Sequence, residues 1–282
     1  MKLVLAFLAA GILFSPLQAD HARFVRFDAG TYTPGFFSLF TSVLGLLDRY
    51  ENNQIDGFIV DLKKTGLYYD PTRGSNSWNY YFLPLKRNFK NVPEQNVTHA
   101  KLGPLALHCL FRLSKERCHY LIKKYIHVRP HILEKVDSFV ETHFKDHFVL
   151  GVHYRGTDKM QTESPPVEYD DFFDTISRFI FAHEGKPIIL FVASDEKDFI
   201  REMTLRFPDQ MITTNASRSE SGLPVHLQMG NNYQKGEEAL LDCLLLSRCD
   251  HLIRTSSNLS LCATFFNPNI PTLLINPGHF DP

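Results

Sequence analysis

Short apolar runs alternate with helix-like segments throughout the second half of this 282-residue chain. Runs typical of buried strands occupy residues 148–153, 188–193, 211–214, 251–255 and 272–275. Apolar residues recur at helical spacing in segments 169–182, 196–207, 237–248 and 258–266. This alternation predicts a parallel sheet covered by helices, as in a Rossmann-like α/β domain. Ligands bind such sheets beyond the carboxyl ends of the strands, so a site is expected there.

The first of these strands runs directly into a polar segment that turns near Gly156. Because side chains alternate along a strand, His153 and Arg155 would point the same way, with Asp158 close enough to brace the guanidinium. Arginine stays charged and can pair with phosphate oxygens two at a time, so this strand end is a candidate diphosphate site. A structural ion pair beside a buried histidine is the alternative that these residues alone leave open.

Two further strand ends are also polar. The sequence A-S-D-E places Asp195 and Glu196 at a predicted helix start, where capping is the better single explanation for the aspartate. The sequence R-T-S-S-N-L-S places Ser256, Ser257 and Asn258 at another helix start, where a phosphate could be received. Each segment alone is typical of an N-cap, but three polar strand ends in one sheet together favour a ligand site.

The segment H-Y-R-G-T-D-K, followed by Thr162 and Glu163, resembles the H-x-R-x-x-D signature of the fucosyltransferases that use GDP-fucose. That superfamily includes the alpha-1,6-fucosyltransferases, the nodulation fucosyltransferases and the protein O-fucosyltransferases. The three strand ends resemble its three motif regions in order, over about the C-terminal half of the chain. The resemblance implies a GT-B glycosyltransferase fold of two Rossmann-like lobes, with GDP-fucose bound by the C-terminal lobe.

The resemblance also implies roles for individual residues. His153 and Asp242 match the pair that contacts guanine, and Arg155 matches the arginine that holds the diphosphate. The other candidates for binding the donor are Gly35, Asp158, Asp195, Ser256, Ser257 and Asn258. Gly156 is a departure, because the alpha-1,6 enzymes have a second arginine at this place. This departure weakens any claim to the linkage or acceptor of those enzymes.

A mechanism follows from charge. Breaking the bond between fucose and phosphate leaves negative charge on GDP, which Arg155 and helix-terminal N–H groups could stabilise. The sequence contains no D-x-D pattern, so no metal is expected. Attack by an acceptor hydroxyl from the opposite face would invert the anomeric centre and would benefit from a general base. Glu163 matches the proposed base of the alpha-1,6 family, with Asp28 in reserve; a solvated loop carboxylate is the alternative for Glu163.

The first part of the chain has a strand, helix and strand pattern of its own. A strand is predicted at residues 23–28, a helix from Phe36 and a second strand at 57–62. Gly35 would let an anion approach the start of this helix, and a plain turn is the alternative. Residues 68–82 are rich in aromatic and amide side chains and form a candidate acceptor groove. Packing into the core is the better explanation for most of these rings, above all for Trp78.

These observations predict a signal peptide at residues 1–19, an acceptor-side lobe at 20–130 and a donor-binding lobe at 131–282. Lys2, an apolar run, Pro16 and Ala19 are typical of a cleaved leader, and the run is shorter than the roughly 20 residues that span a bilayer. An uncleaved anchor is the alternative. Export is expected, to the Golgi or ER lumen of a eukaryote, or otherwise to the periplasm or a membrane surface.

Composition limits the partners. The formal net charge of -1 and the mixing of both signs argue against nucleic acid. Five cysteines without a C-x-x-C pair argue against zinc; Cys109 and Cys118 could pair, but buried free thiols fit equally well. The expected partners are a GDP-sugar donor and a glycan or glycoconjugate acceptor. A transferase using GDP-mannose and an inactive sugar-nucleotide or glycan binder remain alternatives.

Overall fold

A computed structural model describes residues 23–28, 34–62, 66–157, 165–220 and 222–277. The predicted leader at residues 1–19 lies outside these ranges, as do Asp158 and Glu163. In the described part, no helix combines the length and apolar character needed to cross a membrane.

The N-terminal lobe contains a four-stranded sheet in the order β3-β2-β1-β4. Its strands are β1 (Phe24–Phe27), β2 (Gly57–Val60), β3 (Lys86–Arg87) and β4 (Val97–Ala100). Strands β1, β2 and β4 are parallel, and β3 is antiparallel at the edge. Helix α1 (Phe36–Glu51) connects β1 to β2, which confirms the predicted strand, helix and strand unit.

The C-terminal lobe contains a five-stranded parallel sheet in the order β7-β6-β5-β8-β9. Its strands are β5 (Phe148–Tyr154), β6 (Ile188–Ser194), β7 (Met211–Ile212), β8 (His251–Arg254) and β9 (Thr272–Leu274). His153 near the end of β5 pairs with Ala193 of β6 and with Arg254 of β8. The three polar segments therefore leave the sheet side by side, from its centre.

Eight further helices complete the described fold. They are α2 (Trp78–Tyr81), α3 (Leu102–Arg112), α4 (Lys115–Tyr125), α5 (Pro130–His143), α6 (Tyr169–Ala182), α7 (Lys197–Arg206), α8 (Asn232–Leu246) and α9 (Asn258–Phe266). Helices α6 and α9 have the predicted bounds. Helix α5 begins at Pro130, and the proposed division of the chain between 130 and 131 stays a prediction.

One apolar core extends through both lobes. Helix α1 is buried along most of its length, and α9 from the other lobe packs against it and against α4. The rings of Phe40 in α1 and Phe266 in α9 stack with centroids 5.6 Å apart. A second apolar cluster lies between the C-terminal sheet and helices α6 and α7. The two lobes therefore hold a fixed orientation through shared packing.

The aromatic segment 68–82 packs inward. Trp78 is buried and stacks on Phe82 with ring centroids 4.3 Å apart. Tyr68, Tyr80 and Tyr81 are also buried. The explanation by core packing is therefore confirmed for these rings, and the acceptor groove stays a prediction for the segment.

All five cysteines are buried as free thiols. The Sγ atoms of Cys109 and Cys118 lie 3.8 Å apart, which is contact without a covalent bond.

Candidate functional site

A cleft of about 530 Å³ opens where the carboxyl ends of the C-terminal strands face the start of α1. Its lining brings together seven of the residues singled out from the sequence: Gly35, His153, Arg155, Asp195, Asp242, Ser257 and Asn258. Ser256 is described but lies behind this lining, where its N–H donates to Oδ1 of Asn276 at 2.8 Å. Asp28 is also absent from the described lining, and Nδ1 of His99 contacts its carboxylate at 2.8 Å. As candidate base, Asp28 stays a prediction.

Arg155 is anchored at both its backbone and its guanidinium. Its backbone N–H donates to Oγ1 of Thr255 at 2.8 Å, which links the ends of β5 and β8. Its Nη1 lies 2.9 Å from Oδ2 of Asp195. This aspartate occupies the bracing role that the sequence assigned to Asp158, which lies outside the described residues. The ion pair fixes the direction in which Arg155 enters the cleft.

The carboxylate of Asp195 holds the loop that follows β5. It accepts from the backbone N–H of Gly156 at 3.1 Å and from the hydroxyl of Thr157 at 2.5 Å. The N-cap of α7 is Glu196. The explanation of Asp195 as a helix cap is therefore wrong, because the paired register of β5 and β6 makes this loop the nearer source of donors.

Glu196 lies directly against Gly156. A Cβ at Gly156 would be 2.2 Å from the carboxyl carbon of Glu196, so the glycine leaves the space that the Glu196 side chain occupies. The hydroxyl of Tyr169 donates to Oε2 of Glu196 at 2.6 Å. Burial raises the pKa of Glu196, and the carboxylates of Asp195 and Asp198 add to the rise. Sequence reasoning named Glu196 without a role, since its contact with position 156 depends on tertiary packing.

Asp242 projects into the cleft from α8 and is almost fully buried. Thr214 donates its hydroxyl to Oδ1 at 2.7 Å. Burial raises the pKa of Asp242 to about 6, although Thr214 and the nearby Arg218 act in the opposite direction. With the buried His153 of β5, it forms the pair of cleft residues that the sequence assigned to a nucleobase.

Two helices from opposite lobes begin at the cleft. Gly35 is the N-cap of α1, and Ser257 is the N-cap of α9, where its side chain accepts from Leu259 N–H at 3.3 Å. Nδ2 of Asn258 donates to Oγ of Ser38 at 3.1 Å and joins the two helix starts. Because helix N-termini carry partial positive charge, this part of the cleft favours an anion.

Tyr68 of the aromatic segment also lines the cleft, from the N-terminal lobe, and burial raises its pKa. Several other lining residues were not identified from the sequence. Val225, His226, Lys235 and Glu238 come from the loop after β7 and the first turns of α8. Lys235, Glu238 and Asp242 are spaced so that they lie on one face of α8. This spacing could have identified the first two, but the helix was predicted to start only at residue 237.

The sequence also matches a known protein family. Residues 111–264 match the family described as alpha-(1,6)-fucosyltransferase N- and catalytic domains, which is more than half of the chain. The chain belongs to this family. The resemblance found in the sequence motifs is thereby confirmed.

Relatives of this alpha-(1,6)-fucosyltransferase family member include two rhizobial proteins. Nodulation protein Z of Bradyrhizobium diazoefficiens is 24% identical over 180 residues, covering 60% of this chain and 48% of the relative. Nodulation protein Z of Sinorhizobium fredii is 24% identical over 153 residues, covering 52% and 47%. The chain spans about half the length of the curated relatives it matches.

Solved structures of similar fold are fucosyltransferases. NodZ alpha-1,6-fucosyltransferase soaked with GDP-fucose has a TM-score of 0.64 at 17% identity, covering 93% of this chain and 100% of that structure. A mutant of Arabidopsis thaliana FUT1 in complex with GDP has a TM-score of 0.57 at 12% identity, covering 94% and 73%. POFUT1 in complex with GDP-fucose has a TM-score of 0.52 at 11% identity, covering 91% and 98%. These likenesses confirm the predicted GT-B fold of the family member.

Proposed function

We propose that this protein transfers fucose from GDP-fucose to a hydroxyl group of a glycan or glycoconjugate. The observation that carries the proposal is the convergence of Arg155 with the starts of α1 and α9 in one cleft that also contains His153 and Asp242. A cation and two helix N-termini suit a diphosphate. Membership of the alpha-(1,6)-fucosyltransferase family supports fucose as the sugar.

Guanine fits the Asp242 end of the cleft. An ionised carboxylate only accepts hydrogen bonds, and guanine presents two adjacent donors, N1–H and the 2-amino group. Adenine and uracil lack this pair. His153 lies in the same lining and supplies a second polar group for the base.

The reaction is an inverting displacement. The acceptor oxygen attacks the anomeric carbon from the face opposite GDP, the bond between that carbon and the phosphate oxygen breaks, and its electron pair leaves with GDP. Arg155 and the helix N-termini stabilise the developing charge, as a divalent ion does in other transferases, so we propose that no metal is required. The hydroxyl proton passes to a general base, with Glu163 as first choice and Asp28 in reserve.

GDP release from GDP-fucose by the purified protein, with an acceptor panel and with EDTA present, tests this proposal. We expect turnover that persists in EDTA, and Arg155→Ala should reduce it about 100- to 1000-fold, as loss of one oxyanion donor does. Arg201→Ala is the matched control, because Arg201 lies exposed on α7 in an ion pair with Asp198. Both variants remove one guanidinium, but only the first removes it from the cleft.

Other outcomes would contradict the proposal. Turnover of GDP-mannose alone would replace the donor, and tight GDP-fucose binding without turnover on any acceptor would favour a binding protein. Failure to bind any GDP-sugar would remove the donor site itself. Glu163→Gln and Asp28→Asn, measured side by side, decide between the two bases, since the larger loss of turnover identifies the general base.

A further inference from the structure

Arg218 organises the segment that follows β7. Its Nη2 donates to Oγ1 of Thr213 and to the carbonyl oxygen of Thr214, both at 2.7 Å, and its Nη1 donates to the carbonyl oxygen of Ala216 at 2.8 Å. One guanidinium therefore fixes three points on residues 213–216. A planar fork of donors suits this task, and a lysine could not reproduce it.

The same segment is tied to the sheet and to α8. The hydroxyl of Thr213 donates to the carbonyl oxygen of Val192 in β6 at 2.6 Å. The N–H of Ser217 donates to Oε2 of Glu238 in α8 at 2.9 Å. The hydroxyl of Thr214 donates to Oδ1 of Asp242 at 2.7 Å. The conformation that Arg218 stabilises therefore places the hydroxyl of Thr214 against the carboxylate of Asp242.

Arg218 also acts on Asp242 through charge. Its guanidinium lowers the pKa of Asp242, whereas burial, the largest effect, and the carboxylate of Glu238 raise it. The described lining of the cleft also contains the charged or titratable side chains of Tyr68, His153, Arg155, Asp195, His226 and Lys235. Arg218 itself is absent from the described lining and so stands behind the site.

We propose that Arg218 is a positioning residue for recognition of the donor's base: it holds residues 213–216 so that Thr214 orients the carboxylate of Asp242 toward N1–H and the 2-amino group of guanine. This inference rests on the proposed function. It assigns the selection of guanine to a set of three residues, Arg218, Thr214 and Asp242, of which only the last lines the cleft.

Comparison of GDP with inosine diphosphate reports the orientation of this carboxylate. Hypoxanthine keeps N1–H but lacks the 2-amino donor, so only a correctly oriented carboxylate distinguishes the two bases. We expect calorimetry on the full chain to show that wild-type protein prefers GDP by about tenfold or more, since a bidentate base contact contributes about 1–3 kcal/mol of discrimination. Arg218→Gln should bring the ratio of the two dissociation constants close to one.

Further variants sharpen the test. Arg201→Gln is the matched control, because Arg201 is exposed on α7 and should leave the ratio unchanged. Thr214→Val removes only the hydroxyl that reaches Asp242 and should reproduce the loss of discrimination, which keeps the proposal testable if Arg218→Gln does not fold. In an Asp242→Asn background, Arg218→Gln should cause little additional loss, because its effect passes through that carboxylate.

The pH profile of GDP-fucose binding gives a second readout. GDP-fucose is suitable because its esterified diphosphate does not titrate between pH 5 and 8. Removing the positive charge of Arg218 stabilises the protonated form of Asp242, so the pH below which binding is lost should move upward in Arg218→Gln. The Asp242→Asn profile isolates the part of the pH dependence that does not come from Asp242.

Three results would overturn the inference. An unchanged ratio and an unchanged pH midpoint in Arg218→Gln would show that Arg218 does not act on the base, while leaving the proposed function intact. An equal loss of affinity for both nucleotides, with a lowered melting temperature, would assign Arg218 a merely structural role. Absence of GDP and GDP-fucose binding by the wild-type protein would overturn the proposed function and this inference together.

Discussion

Asp195 connects the ends of two neighbouring strands through a single carboxylate. It pairs with Arg155 and accepts from Gly156 and Thr157, so it fixes both the loop after β5 and the cation that the loop presents. Groups held in this way lose little additional freedom when a ligand binds. The position of the guanidinium is therefore set before the donor arrives.

Replacement of this carboxylate tests that role. Asp195→Asn keeps the size of the side chain but removes its charge, and hydrogen bonds to charged groups contribute about 1.5–3 kcal/mol. We expect kcat/KM for GDP-fucose to fall about 10- to 100-fold. Asp198→Asn is the control, because Asp198 pairs with Arg201 on the exposed face of α7. Equal rates in wild type and Asp195→Asn would refute the bracing role.

Asp242 reduces the stability of the protein while serving the site. Burial raises the pKa of its carboxyl to about 6 in the folded protein, from an ordinary value of 3.8. As pH rises, the unfolded chain therefore releases this proton at a lower pH than the folded protein does. The free energy of unfolding should therefore decrease as pH rises from about 4 to 6, and the cost of about 2–3 kcal/mol persists above that range. We expect Asp242→Asn without ligand to melt above wild type at pH 8, with the difference disappearing near pH 4. A melting difference independent of pH would contradict this assignment.

The sequence predicted which side chains enter the cleft better than it predicted what they contact. The polar strand ends placed His153 and Arg155 correctly, because strand alternation and parallel order are local or topological properties. The partner of Arg155 could not be predicted in the same way. It depends on the register in which β5 and β6 pair, and two strands that are apolar throughout do not reveal that register by pattern alone.

Helices α1 and α3 approach each other at a glycine. A Cβ at Gly45 would lie 2.2 Å from the carbonyl oxygen of Leu105, which is backbone and cannot move aside as a flexible side chain would. We expect Gly45→Ala to lower the free energy of unfolding by about 1–3 kcal/mol or more through overpacking, as measured by denaturant titration. This contact fixes the distance between the two helices.

A matched control exists on the partner helix. A Cβ at Gly103 in α3 would meet no described atom within 4 Å, so Gly103→Ala should be neutral or stabilising by up to about 1 kcal/mol. Loss of stability in both variants to a similar extent would show that helix contact is not the cause.

Elements with strong apolar periodicity were predicted well, and short or polar ones were not. Strands β3 and β4 are two and four residues long and largely exposed, so they carry no apolar alternation. Helix α8 begins at Asn232, five residues before the predicted start, because its first turns are polar and contain Gly236. Asn231 caps this helix by accepting from Gln234 N–H at 3.1 Å, and an asparagine at this place was the available signal.

At the scale of the whole molecule, the shared core predicts how the protein unfolds. Phe40, Leu121, Leu245 and Phe265 belong to one buried cluster, although they come from both lobes. We expect calorimetry to show a single transition, with the ratio of calorimetric to van't Hoff enthalpy near one. Two transitions separated in temperature would indicate lobes that fold independently.

The contact between Tyr81 and α8 affects how the protein folds during its synthesis. Tyr81 stacks on Tyr233 with ring centroids 5.5 Å apart and donates to its carbonyl oxygen at 2.9 Å, while Gly236 leaves room for its hydroxyl. These partners are 152 positions apart, so most of the chain must be synthesised before Tyr81 can complete its packing. The packing around Tyr81 is therefore completed only after α8 has been made, so a pause in translation after α8 would favour it more than a pause between the lobes.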